Sequence, residues 1–355
     1  MLTKELKAFI QRIPKAELHC HLEGSIQPAT LLKLAARHSI KLPFEDEESA
    51  KKFYEFENLN QFIDILSLTS STLQTAEDFK TITVEFGADA ARQNIAYREV
   101  FFSYDAHRNR GIEWETVISG IAAGRIESKE RYGVEMWFIA DMDRTTDPEA
   151  SLSMVELAHK SREQAGIIGV GMDSKEALNP ASRHKVAFDR AKELGFRLVA
   201  HAGEDAGPES VWDALDMGVE RIDHGVRSIE DDKLLQRLVE IQIPLTVCPV
   251  SNIQLKIFPN MAAHPIKRLM DAGVFVTVNS DDPPMFHADV VENYLQVADT
   301  FNLTADDIEK LAQNSFIAAF MDSAARSNYL QQFTDKVSQL RAELFNQGCT
   351  NTPTA

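Results

Sequence analysis

His19-Cys20-His21 is the first place in this chain where residue type and spacing together suggest chemistry. In extended backbone, side chains at i and i+2 point to one face, so both imidazoles can grip one cation while Cys20 packs behind as a small apolar residue. His201-Ala202-Gly203-Glu204 offers a third imidazole and then a carboxylate. After the glycine turn, Glu204 either reaches metal-bound solvent without ligating or caps the next helix. Arg221-Ile222-Asp223-His224-Gly225 adds His224, and Asn279-Ser280-Asp281-Asp282-Pro283 adds two adjacent carboxylates of a kind also common in turns. Three neutral imidazoles and one carboxylate suit Zn2+ with an open position for solvent, and zinc lowers the pKa of bound water from 15.7 to about 7. The attacked carbon must be electrophilic. An acid that protonates the adjacent ring nitrogen makes an aminopurine carbon so, and Glu204 is the candidate. His38, His107, His159, His184, His264 and His287 fall in helical or loop contexts and read as packing or surface residues.

These groups need a scaffold that brings them to one rim. Short apolar runs ending in polar clusters predict eight strands: Ala16–His21, Ile95–Ser103, Val134–Asp141, Ile167–Asp173, Arg197–His201, Arg221–His224, Ile243–Cys248 and Val274–Asp281. Helical patterns alternate with them at Pro180–Leu194, Pro208–Met217, Asp231–Glu240 and Pro265–Ala272, with Gly195, Gly218 and Gly273 as C-terminal stops. Such alternation predicts one α/β domain over the whole chain, a (β/α)8 TIM barrel with its active groups at the C-terminal ends of the strands. A helical insertion after strand 1, about residues 30–93, contains the patterns Asn60–Gln74 and Ala76–Ala91 and is expected to cover the barrel mouth. A C-terminal helical tail is expected over about 305–345, with fraying beyond Phe345.

Composition narrows the partners. The 355 residues are 44% hydrophobic and 26% charged, enough for an ordinary core and against long disorder. Thirty-seven basic against 54 acidic residues give a net charge of -17, which disfavours nucleic acid and anionic membranes. Cys20, Cys248 and Cys349 are odd in number and widely spaced, and Met1–Lys7 lacks the apolar core of a signal peptide, so a reduced, cytoplasmic enzyme is expected. No apolar run reaches the 18 residues or so of a membrane span. A homo-oligomer is compatible with all of this.

Taken with Pro14-Lys15-Ala16-Glu17-Leu18 and Leu22-Glu23-Gly24, these motifs resemble the adenosine/adenine deaminase family of the metal-dependent amidohydrolases. The similarity runs from about Pro14 to Leu330 and rests on HCHLEGS, HAGE, RIDHG, CPVSN and NSDDP in combination. The resemblance implies hydrolysis of a 6-aminopurine to the 6-oxopurine and ammonia with one zinc per chain. It implies His19, His21, His201 and Asp281 as ligands, Glu204 as the acid at N1, His224 as the group steadying the zinc hydroxide, and Asp282 as a partner of N7.

Two departures bear on the purine. Adenosine deaminases carry HLDG, with the aspartate contacting ribose, where this chain has Glu23. They end strand four with a pattern like D-L-A-G, the glycine near N3, where this chain reads Asp173-Ser174-Lys175-Glu176. Counting from Asp173 puts Glu176 at the glycine position, where it would accept the N9–H of a free base and leave a nucleoside facing an unpaired carboxylate. The DSxE pattern resembles adenine deaminases, so free adenine or an N6-substituted adenine is the expected substrate. Asp282-Pro283-Pro284-Met285-Phe286 departs from the DDPAYF of adenine deaminases and keeps adenosine and aminodeoxyfutalosine as alternatives. More remote are a binuclear hydrolase using Lys175 and His224, and a binding protein without catalysis.

Overall fold

The computed structural model describes residues 1–345; Cys349 and the fraying expected beyond Phe345 lie outside the described residues. Eight parallel strands run in sequence order: β1 Lys15–Glu17, β2 Ile95–Phe102, β3 Glu135–Asp143, β4 Ile167–Asp173, β5 Arg197–Ala202, β6 Arg221–His224, β7 Leu245–Val247 and β8 Val276–Val278. The expected barrel is therefore present, with helices between successive strands. Gly195, Gly218 and Gly273 take φ of +73°, +77° and +86° just past helices, as the glycine stops require.

Strands β1 and β8 are shorter than the sequence suggested, and the difference bears on the site. Ladder pairing of the first strand stops at Glu17, because the Leu18 amide donates to the Asn279 side chain (2.9 Å) instead of to a neighbouring strand. Beyond that gap the chain resumes pairing through single bridges. Asp281 N donates to His19 O (3.1 Å), His21 N donates to Asp281 O (3.0 Å), and Phe101 N donates to Cys20 O (2.8 Å). The seam between the first and last strand is thus closed at the residues singled out for chemistry.

The insertion forms helices Pro28–Arg37, Glu47–Phe53, Leu59–Ser70 and Ala76–Arg92. Asn58 caps the third, its Oδ1 accepting from Gln61 N (3.1 Å), and the helix lays Phe62 over the strand ends. The Phe62 ring stacks on Phe286 at 5.0 Å, and Phe56 meets both rings edge-on. Phe286 lies on the short helix Pro283–Phe286, so the roof is pinned to the end of β8. The tail forms Ala305–Ala318 and Ser323–Phe345. A helix that the sequence reading missed, Lys4–Arg12, buries Phe9 and Ile10 and pairs Arg12 with Glu343 on the tail.

Small barrels are usually filled with branched apolar side chains. Here Phe101, Ile139 and Val199 form a small apolar cluster of their own, and below the site Glu99, Arg221 and Asp223 are 0% exposed, as are Glu17 and Arg98 outside β2 against the helix Ala76–Arg92. Arg98 Nε meets Glu17 Oε2 at 2.6 Å, Arg221 Nη1 meets Glu99 Oε2 at 2.6 Å, and Glu17 accepts from the Ser280 hydroxyl, next to Asp281. Removing one partner of such a pair strands a buried charge at about 3–5 kcal/mol. Arg221→Met should therefore lower the urea midpoint by that equivalent, and Arg221→Met with Glu99→Leu should recover most of it. An unchanged midpoint in the single variant would show that Glu99 does not depend on this arginine.

Candidate active site

His19, His21, His201 and Asp281 converge: one ligand atom from each lies within 4.8 Å of the others. Asp281 Oδ1 is 3.4 Å from His19 Nε2 and 3.3 Å from His21 Nε2, and the Nε2 atoms of His21 and His201 are 3.2 Å apart. His19 Nε2 is buried without a hydrogen-bond partner. Such a cluster of nitrogens facing one carboxylate oxygen fits a cation between them, since each lone pair would otherwise be buried unsatisfied. Burial and the neighbouring imidazoles hold His201 well below the ordinary histidine range, keeping it in the neutral form that ligates. The second nitrogens are anchored as well. His19 Nδ1 lies 3.1 Å from Thr246 O and 3.0 Å from Thr246 Oγ1, and His201 Nδ1 lies 3.0 Å from Met172 O.

Around these four residues stand His224, Glu204 and Asp282. His224 Nε2 is 3.5 Å from Glu204 Oε1 and 3.9 Å from Asp281 Oδ2. Burial, and then the Asp281, Glu176 and Asp205 carboxyls, push the Glu204 pKa well up. Asp282 is raised by burial and by Asp281, and its Oδ1 has no partner. A Cβ on Gly24 would lie 1.5 Å from that oxygen, so the glycine of the HLEG motif is the space into which Asp282 fits. His224 and Asp281 take φ of +66° and +67°, a left-handed conformation costing roughly 1–3 kcal/mol each in non-glycine residues. The CPVSN motif now has a physical role. Ser251 donates to Asp281 Oδ2 (2.6 Å), and Asn252 sits 3.2 Å from His224 Nδ1, backed by His264 at 3.1 Å.

A cavity of about 280 Å³ opens onto these groups. Leu59, Phe62, Ile63 and Leu66 form its apolar roof; Ser103, Asp143 and Asp173 form the wall.

The adenosine deaminase family model matches residues 14–337. An adenine deaminase of Psychrobacter cryohalolentis is 41% identical over 329 residues, 92% of this chain and 98% of that protein. One from Cupriavidus metallidurans is 43% identical, with 91% of each chain covered. The crystal structure of an adenine deaminase from Arthrobacter aurescens superposes with a TM-score of 0.88 at 37% identity, covering 92% of this chain and 99% of that one. This chain belongs to the adenosine deaminase family.

Within that family frame, the residues expected to touch substrate divide. Asp282 and Glu23 line the cavity, Glu23 held by His107 Nε2 (2.8 Å) and by the Ser103 amide (3.2 Å). Glu176 needs correction. Its Oε1 accepts from the amides of Glu204 (2.8 Å) and Asp205 (3.1 Å), and its Oε2 from the Gly203 amide (2.7 Å) and the Ser210 hydroxyl. A carboxylate has about four acceptor sites, and all are filled. Glu176 is absent from the cavity wall and has no lone pair for a purine N9–H; it braces the turn that carries Glu204. The carboxyl at the end of β4 that does line the cavity is Asp173, which accepts from Ser103 Oγ and is pushed up to about 7 by burial and Asp143.

Loss of one ligand should be read directly in metal content. His19→Ala protein purified in zinc-supplemented buffer should hold well under one equivalent of metal by elemental analysis, and full occupancy would remove His19 from the ligand set.

Proposed function

We propose that this chain is a zinc-dependent adenine deaminase that hydrolyses the free base to hypoxanthine and ammonia. The observation that carries it is the convergence of the His19, His21, His201 and Asp281 ligand atoms beside the buried Glu204 carboxyl at the floor of the cavity. Three imidazoles with one carboxylate favour zinc over harder, oxygen-seeking ions. When bound, zinc supplies the Lewis acidity that makes water a nucleophile at neutral pH. The residues of this chain do the rest. Glu204 gives its proton to purine N1, which drains electron density from C6 and opens it to water. His224 accepts from the Asn252 amide at Nδ1, which leaves its proton on Nε2, facing Glu204 and Asp281, where it steadies the attacking water while Asp281 takes up the proton that the water sheds. Asp282, whose pKa burial and Asp281 push up, donates to N7 and fixes the ring plane. The proton taken up by Asp281 passes to the amino group, ammonia leaves, and the C6 hydroxyl returns its proton to Glu204 as the C6 carbonyl forms.

The far wall supports the free base. Asp173, Asp143 and Ser103 present acceptors to an N–H edge, and among the described residues none lining the cavity is a lysine or arginine that could neutralise a phosphate. The relatives named as adenine deaminases cover nearly the whole chain, which supports the same choice.

Ammonia release measured on adenine, an N6-substituted adenine, adenosine, aminodeoxyfutalosine and AMP tests this reading. Adenine should have the highest kcat/KM, and a nucleoside or AMP matching it would overturn the free-base assignment. Glu204→Gln should keep its zinc while turnover falls by about 10²–10⁴-fold, and a near-normal rate would remove Glu204 from the acid role. Asp173→Ala should lower kcat/KM for adenine by about 10–100-fold, the equivalent of one charge-assisted hydrogen bond.

A further inference from the structure

We infer that Asp141 is the positioning carboxylate of the metal ligand His21, seated in a slot that Gly171 leaves open beneath the cavity floor. It rests on the assignment of His21 as a ligand and goes beyond the set of groups that the reaction itself uses.

Three observations meet here. First, the imidazoles of His19 and His201 each have their second nitrogen anchored, by Thr246 and by the Met172 carbonyl. His21 is bonded through Nε2, and its Nδ1 makes no hydrogen bond among the described residues. A metal-bound imidazole presents an N–H on its other nitrogen, and an acceptor there fixes the ring and raises its basicity. Second, Asp141 is 1% exposed and neither of its carboxylate oxygens has a hydrogen-bond partner. One of them lies within 4.8 Å of a His21 ring nitrogen, a gap that a side-chain rotation or one bridging water closes. Third, the slot is built for it. β3 and β4 pair Asp141 with Gly171, and a Cβ on Gly171 would fall 1.9 Å from Asp141 Oδ1. Gly171 has no positive φ, so space for the carboxylate, not backbone freedom, is what glycine provides there.

Asp141 lies outside the cavity lining, so it reaches substrate only through His21. Asp173, which lines the cavity and also approaches His21, already accepts from Ser103. The division of labour follows: Asp173 faces the purine and Asp141 faces the ligand.

The test reads zinc affinity by chelator competition on the full chain, with the urea midpoint of the metal-free protein as a control for folding. Asp141→Ala should weaken zinc binding by about 10–100-fold with the metal-free midpoint unchanged or raised, and the isosteric Asp141→Asn should weaken it less. Gly171→Ala, which displaces the carboxylate, should weaken zinc binding comparably, and combining it with Asp141→Ala should add nothing further. In the zinc-loaded wild type, imidazole NMR should show a protonated His21 Nδ1 whose resonance shifts in Asp141→Asn. Affinities within about twofold of wild type, or fully additive losses, would overturn the inference. So would a wild-type protein that binds two equivalents of zinc and an Asp141→Ala variant that binds one, because Asp141 would then ligate a second ion. Zinc binding is read without purine, so failure on adenine and failure here are separate results.

Discussion

Closure of the barrel between its first and last strands is the constraint on which everything else depends. His19 and His21 come from the start of the chain, Asp281 from near its end, and backbone hydrogen bonds of 3.1 and 3.0 Å between those residues are what bring them together. The seam is not a regular ladder. Pairing lapses at Leu18, where Asn279 takes the amide, and resumes as single bridges at Cys20 and His21. A continuous ladder would dictate side-chain direction by strict alternation; the lapse frees the rim backbone, and Asp281 uses that freedom to adopt φ +67° and turn its carboxylate towards the imidazoles.

Holding that geometry requires support from below. Under the site the Arg221–Glu99 pair fills the barrel and the Arg98–Glu17 pair backs β2 against the helix Ala76–Arg92, and each connects upward: Glu17 to Ser280, Arg221 to the Leu18 carbonyl (3.1 Å), and Asp223 to Thr246 Oγ1 (2.7 Å) and thence to His19. A hydrocarbon filling would supply volume but no direction. Buried ion pairs are an uncertain source of net stability, yet their geometry is specific, and here they fix carbonyls and hydroxyls that in turn fix imidazole rings. Three of the buried atoms without partners, His19 Nε2, Glu204 Oε1 and Asp282 Oδ1, lie where a cation and a purine would be held.

Much of this was legible in the sequence because barrels place chemistry at strand ends. Strands β4 and β6 match their expected limits, and the convergence of His19, His21, His201 and Asp281 with Glu204 nearby was readable from spacing together with the motif resemblance. What escaped depends on contacts between distant segments. Ser251 and Asn252 looked like an unexplained motif until the helix Pro249–Gln254 placed them against Asp281 and His224. Asp141 read as a polar strand end, and only the pairing with Gly171 shows where its carboxylate lies. The helix Lys4–Arg12 was missed because its apolar face has meaning only against the tail, far away in sequence.

The misreading of Glu176 has a definite physical cause. Counting residues onward from Asp173 assumes that the chain keeps its direction, but Ser174 takes φ +69°, so the backbone turns there and carries Glu176 away from the cavity. The carboxylate then gathers three consecutive amides of the Gly203–Asp205 turn, where Gly203 itself takes φ +68°. Two effects on catalysis follow. The turn that aims Glu204 is held at both of the carboxylate's oxygens, and the charge of Glu176 is among the groups that raise the Glu204 pKa. A departure from the D-L-A-G pattern that first suggested a change in what the site recognises thus acts instead on the acid, by fixing where its proton sits and how firmly it is held.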